Sequence, residues 1–275
     1  MSDHHAPPLA AAVLAGSVWA ALCCVGRVCA QAPPAAPEVV VVGSPHTGTA
    51  QFSVDTLVAI LARARPTLLL LELDSTFFDA ELQLRPEFAQ QSLEEAAVSR
   101  LLVTTPVALR PYDIEGRNLE YQTQDYFARQ RQLNAALNDL EAQHRLGPEA
   151  QGLLKELDDL DGLRDAIGAE TPRVINSAAA DSVISRKQEY AYAGLQRVID
   201  LTPQLTPFSA LWRWAAAFWR RRNEAMRANI LREALRHPGG RVVAICGYEH
   251  RYYLRALLAS DAAAGRIVLR EYWEP

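Results

Sequence analysis

The chain has 275 residues, 49% hydrophobic and 22% charged, values of an ordinary globular protein that exclude global disorder. Its formal net charge of −4 argues against non-specific affinity for nucleic acid, so no nucleic-acid partner is expected. This length supplies one large core or two modest ones without disulfide staples.

The N-terminus reads as an export signal. Residues 9–25 are apolar, and Val28-Cys29-Ala30 then precedes a Pro/Ala-rich spacer over residues 31–37. Residues 1–30 are therefore expected to be a signal peptide cleaved after Ala30, and the protein to be periplasmic or secreted. The leading segment carries Asp3, His4 and His5 but no Lys or Arg, which keeps an uncleaved anchor as the alternative. Membrane contact is expected only in that case. A lipid on Cys23 is a third route, disfavoured by the bulky Leu22 before it. Cleavage would leave Cys246 as the single cysteine, read as a buried small hydrophobe.

Residues 38–43 form a short all-apolar strand after Glu38, as expected for burial on both faces of a sheet. Ser53 and Asp55 start a helix that Pro66 ends, and residues 67–74 form a second buried strand closing on Glu72 and Asp74. Strand, helix and strand make a βαβ unit. A helix is expected over residues 93–102 and a third strand over 106–113. Beyond it lie an amphipathic helix over 126–144, shorter helices or a surface connection over 147–168, and a helix over 181–199. A further helix runs to about residue 236. The second half follows: a strand over 241–246, a helix over about 250–259 and a strand over 266–271. The expected fold is α/β, a mixed central sheet built from two βαβ-like halves, in a single domain over 38–275 with a helical insertion at about 115–238.

Two segments some 200 residues apart read alike: a β-branched run, then Gly43-Ser44-Pro45-His46 or Gly247-Tyr248-Glu249-His250. Each places an imidazole just past a buried strand, where open α/β sheets collect ligands. A carboxylate ending a buried strand must be paired, solvated or metal-bound, which makes Glu72 a third candidate. Asp74 is read as a helix cap or the partner of an arginine from residues 220–222. Two imidazoles and a carboxylate suffice for zinc, manganese, cobalt or iron with open positions for water. The catalytic candidates are thus His46, Glu72, His250 and Glu249, and the metal ligands His46, Glu72 and His250, with Glu72 or Glu249 moving the proton. Without metal the same trio could serve as base and electrophile. Asp113 and Arg117 follow the third strand, and Arg222 and Asn223 lie on the long helix, either in the cleft or on a solvated face. These four are the candidate cofactor-binding residues. Trp212, Trp214, Phe218 and Tyr248 are a candidate stacking surface, with core packing as the plainer reading.

Together the Gly-Ser-Pro-His turn, the Leu-Leu-Leu-Glu-Leu-Asp strand, the Arg222-Asn223 helix with its continuation over residues 226–229, and the late Gly-Tyr-Glu-His resemble the TraB, GumN and Tiki superfamily. That grouping is akin to ChaN-type haem-binding proteins and erythromycin esterases. The resemblance implies an α/β core of two related halves around one cleft, and a metal-dependent hydrolase of peptides or esters using Gly43 with His46, Gly247 with His250, and Glu72. Its alternative is a non-enzymatic protein binding haem or another small ligand. Many relatives have a small residue before the second His, where this chain has Tyr248-Glu249.

Overall fold

The computed structural model describes Met1 and residues 35–275. The expected signal peptide and most of the spacer lie outside the described residues. Residues 35–275 belong to one compact unit.

In chain order the first half comprises β1 (Glu38–Ser44), α1 (Val54–Ala64), β2 (Leu68–Leu71), α2 (Leu93–Thr104) and β3 (Ala108–Pro111). Next come α3 (Arg117–Thr123), α4 (Tyr126–Ala142), α5 (Pro148–Gly168), α6 (Pro172–Ile175), α7 (Ala178–Glu189), α8 (Leu195–Leu201) and α9 (Ser209–Leu235). The chain closes with β4 (Arg241–Gly247), α10 (Tyr248–Ala263) and β5 (Val268–Arg270). The α/β class, the two sheet-forming ends and the helical middle are as expected from the sequence. The sheet, expected as mixed, pairs in parallel along every ladder between named strands; an isolated antiparallel bridge joins Phe78 and Leu84 outside it.

The strand order is β3-β2-β4-β1-β5. Each βαβ half thus straddles a strand of the other: β4 lies between β1 and β2, and β1 lies between β4 and β5. This interleaving brings the two glycine corners together, with Gly43 opposite Cys246 and Ser44 opposite Gly247.

Val39 to Val42 and Leu68 to Leu71 are buried throughout, because helices cover both faces. On one face α1 and α2 supply Leu57, Leu61, Ala97 and Leu101 against Val40, Val42, Leu69 and Leu71. On the other, α9 and α10 supply Met226, Ile230, Leu254 and Leu258 against Val39, Val41, Leu68 and Leu70. Each buried leucine contributes about 1.5–3 kcal/mol of transfer free energy, so this two-sided burial dominates the stability of the layers. Ser53 caps α1 through Thr56 N, and Arg65 leaves it in the left-handed region ahead of Pro66.

The middle differs from the reading of its sequence in two places. Residues 148–168 are one 21-residue helix, not several pieces. Gly152 and Gly162 meet no neighbour that a Cβ would strike, and packing of α5 on α7 and α8 outweighs their low propensity. The long helix α9 also starts ten residues before Trp219, so Trp212 and Trp214 belong to it. A third core of Leu133, Leu137, Val198, Ile199, Leu205 and Trp212 holds this region together. Between α7 and α8 the helix carries a π-turn, Tyr190–Gly194.

Candidate functional site

The site sits at the carboxyl ends of β1, β2 and β4. Gly43 is held from the side by Asn176, which accepts from Gly43 N (2.7 Å) and donates to Gly43 O (2.9 Å) in a buried setting. The chain then turns so that His46 takes φ 53°, a left-handed conformation costly for a residue with a Cβ. Leu93 N donates to His46 O at 2.9 Å, tying this corner to the start of α2.

From α2 comes Glu94, whose Oε1 accepts from His46 Nδ1 at 2.9 Å and also from the Ser44 hydroxyl. The Nε2 side of the ring faces Gly247, where a Cβ would collide with it. Burial disfavours the imidazolium, but the hydrogen bond to Glu94 and the charges of Glu72 and Glu94 outweigh this and push His46 up to about 9. Burial likewise raises Glu94, and hydrogen bonds from His46, Ser44 and Ser92 bring it down to about 2.

His250 lies in the first turn of α10, directly after Gly247. Its side chain is 6% exposed, against 56% for His46. Asn223 fixes its tautomer. The Asn223 amide donates to Trp219 O (2.8 Å), so its Oδ1 must accept from His250 Nδ1 (2.8 Å), and His250 Nε2 accepts from Arg222 Nη1 (3.0 Å). Burial first, then the positive charges of Arg222, His46 and Arg117, hold His250 well below the usual imidazole range. The helix N-terminus acts in the same direction.

Arg222 organises the centre. Its Nε and Nη2 grip Asp113 bidentately at 2.8 Å, and Nη2 also donates to Glu72. Arg117 donates to Asp113 at 2.9 Å, and Asn229 donates to the Tyr112 carbonyl at 3.0 Å, fixing the loop that carries Asp113. The second oxygen of Glu72 accepts from Gly247 N at 2.7 Å.

Sequence-predicted residues therefore do meet here: His46, Glu72, Arg117, Arg222 and His250 line one cavity of about 280 Å³, with Asp113 and Asn223 behind it. Glu249 turns away to Gln188 (2.6 Å), Lys187 (3.1 Å) and Arg164 (3.3 Å) and lines an adjoining cavity of about 200 Å³. Asp74 is a cap, accepting from Thr76 N at 3.0 Å. Cys246 is fully buried and burial pushes its thiol pKa upward, which makes it an inert core residue.

The expected metal centre is corrected. Among the described residues no group of three or more His, Cys, Asp or Glu could hold a metal ion. The guanidinium of Arg222 donates to both Glu72 and His250 and uses the Nε2 lone pair that a metal would need. A cation bound there would face a fixed positive charge. Neither a zinc, manganese, cobalt or iron centre nor the metal-dependent hydrolase built on it stands; Asp113, Arg117 and Arg222 engage one another, and Asn223 holds His250.

Haem fails on the same ground, since both nitrogens of His250 are engaged and Glu94 holds His46 as its cation. The expected stacking surface is dispersed as well. Trp212 is buried and donates to Ala191 O, Trp214 stacks on Phe218, and the Tyr248 hydroxyl donates to Arg164 O.

Glu94 and Glu95 are the residues that sequence reasoning missed. Both are buried and line the 280 Å³ cavity, and Oε2 of each has no hydrogen-bond donor. Their signal was weak, because acidic residues in a first helical turn are the ordinary response to the helix dipole.

Compared with protein-family models, with curated proteins and with solved structures, the chain matches none. The resemblance to the TraB, GumN and Tiki grouping therefore gains no support from these comparisons, nor does a hydrolase assignment.

Proposed function

We infer that the protein binds a small carbonyl-bearing molecule in the 280 Å³ cavity and performs metal-free acid–base chemistry on it through His46. One observation carries this reading: Glu94 clamps Nδ1 of His46, and the protonated ring, its Nε2 side toward Gly247, lines both the 280 Å³ and the 200 Å³ cavity. A ligand oxygen accepts from Nε2–H, and a ligand N–H or O–H supplies the donor that the buried Oε2 of Glu95 lacks. Arg222 is spent on Asp113, Glu72 and His250, so it holds the walls and keeps His250 neutral. A peptide, an ester or another small molecule with adjacent donor and acceptor groups meets these requirements. Nucleic acid does not suit the net charge.

Diethyl pyrocarbonate tests the poise of His46, because it acylates only neutral imidazole nitrogens. In chelator-treated protein, His46 modification is expected to rise as pH approaches about 9, while His250, neutral but buried with both ring nitrogens engaged, stays unmodified. N-acetylalanine methylamide, a minimal carbonyl and N–H ligand, is expected to shift the NMR resonances of His46 and not those of His144. An ordinary His46 titration near 6.5, or labelling of His250, would reject the reading.

We also place this function outside the cytoplasm, on the leader-like residues 9–30. Among the described residues no helix is long and apolar enough to cross a membrane.

A further inference from the structure

A more apolar cavity lies apart from the polar one. A space of about 560 Å³ opens between the π-turn, α9 and α10, walled by Tyr192, Trp219, Tyr252 and Tyr253, with Ala193 and Ala216 leaving room between the rings. Tyr192 lies 5.8 Å from Trp219 at an interplanar angle of 33°, and Tyr252 lies 5.8 Å from Tyr253 at 16°. The π-turn puts Tyr192 and Ala193 out of phase with α7 and α8, a distortion that recurs at functional sites.

Two polar atoms in these walls are buried without a well-aligned partner. One is Oε1 of Gln196, whose Nε2 already serves Asp200 and Ser209. The other is the indole Nε1 of Trp219, with the Tyr252 hydroxyl beside it.

This space connects to the acid–base centre through shared residues. Trp219 lines both it and the 200 Å³ cavity, while His46 and His250 line both that cavity and the 280 Å³ one. Trp219 is also stacked on the His250 ring, 4.2 Å between centroids.

We propose that the 560 Å³ cavity is a subsite for a planar aromatic group bearing a hydroxyl or N–H donor, and that the substrate is an elongated molecule with such a group at one end and its carbonyl at the other. Flat rings pack against tyrosine and tryptophan in offset or tilted geometry, and an aliphatic chain of equal size gains less from these walls. The donor answers Gln196 Oε1. The link to the carbonyl end rests on the reading of His46 given above; the aromatic subsite stands on its own walls.

The probe is 2-naphthol, titrated calorimetrically into the full chain, with 2-methoxynaphthalene as the analogue lacking the donor. One molecule is expected to bind per chain, to shift the NMR resonances of the Trp219 indole and the His250 ring, and to bind more tightly than the methoxy analogue. Ala216→Trp fills the slot from α9 and is expected to weaken 2-naphthol about tenfold or more without changing the His46 titration. Ala193→Trp fills it from the opposite wall and gives the same readout if the first variant does not fold. Unchanged affinity in a folded filling variant, or no shift at Trp219, would overturn the subsite. Loss of naphthol binding on filling, combined with an ordinary His46 titration, would support the subsite and overturn its link to an acid–base centre.

Discussion

His46 and His250 leave neighbouring strands three residues after a glycine, yet they end in opposite states. The first is more than half exposed, held by a carboxylate and driven toward its cation. The second is buried, held by an amide oxygen and a guanidinium, and driven toward its neutral form. A shared motif fixes where an imidazole stands relative to a sheet. The helix packed against it fixes what the imidazole is: α2 brings Glu94 to one corner, and α9 brings Arg222 and Asn223 to the other.

The comparison breaks hardest at Arg222. Replacing it by Met leaves Glu72 buried without its arginine and Asp113 with Arg117 alone, and removing one partner from such a buried group costs about 3–5 kcal/mol. Urea unfolding of Arg222→Met is expected to register that loss, and His250, freed of the neighbouring charge, is expected to titrate higher than in the parent. Stability within ~1 kcal/mol of the parent would mean that the arginine does not organise the centre.

The two glycines sharpen the contrast at lower cost. A Cβ on Gly43 meets the backbone of α10, 3.0 Å from Tyr248 Cα, so strand and helix must separate. The nearest atoms to a Cβ on Gly247 are those of the His46 ring, which can swing into solvent. Gly43→Ala is expected to destabilise by about 1–3 kcal/mol, and Gly247→Ala by less, while displacing His46 from Glu94 and returning its titration toward the ordinary value. Thermal melts and histidine NMR of the two variants separate these outcomes.

Much of this architecture is legible in the chain because continuous apolar runs such as Val39 to Val42 and Leu68 to Leu71 have no stable place except a sheet covered on both faces. The paired glycine corners were legible for a similar reason. What was not legible was who stands between them. Arg222 reads equally well as one member of a solvated basic run, and its role depends on Asp113, 109 positions earlier, arriving at the same point. The metal was inferred because an arginine-centred network uses the same residue types as a metal's ligand shell. Glu94 stayed hidden behind its ordinary explanation as a first-turn acid, and the single helix α5 behind two glycines whose cost is met by packing.

The smallest effect tests the contrast most directly, since the two histidines pull stability in opposite directions with pH. His46 binds its proton more tightly folded than unfolded, so its contribution is complete below about pH 6.5 and is lost as pH rises through about 9. Its partner Glu94 contributes above about pH 4.5 and loses that contribution as pH falls toward about 2. His250 resists protonation in the fold, so its contribution is present above about pH 6.5 and lost below it. These two imidazoles therefore place a local maximum of stability near pH 6.5. In His46→Asn the alkaline limb between about 6.5 and 9 is expected to flatten by less than ~1 kcal/mol, as suits an imidazole open to solvent, and the Glu94 contribution below about pH 4.5 to weaken with it, while the limb between about 4.5 and 6.5 stays. In Asn223→Ala the acid limb alone is expected to change, because His250 loses the acceptor that fixes its tautomer. A melting series in which the limb between about pH 4.5 and 6.5 moves together with the alkaline limb in either variant would mean the corners titrate as one unit, and the division of labour between α2 and α9 would fail.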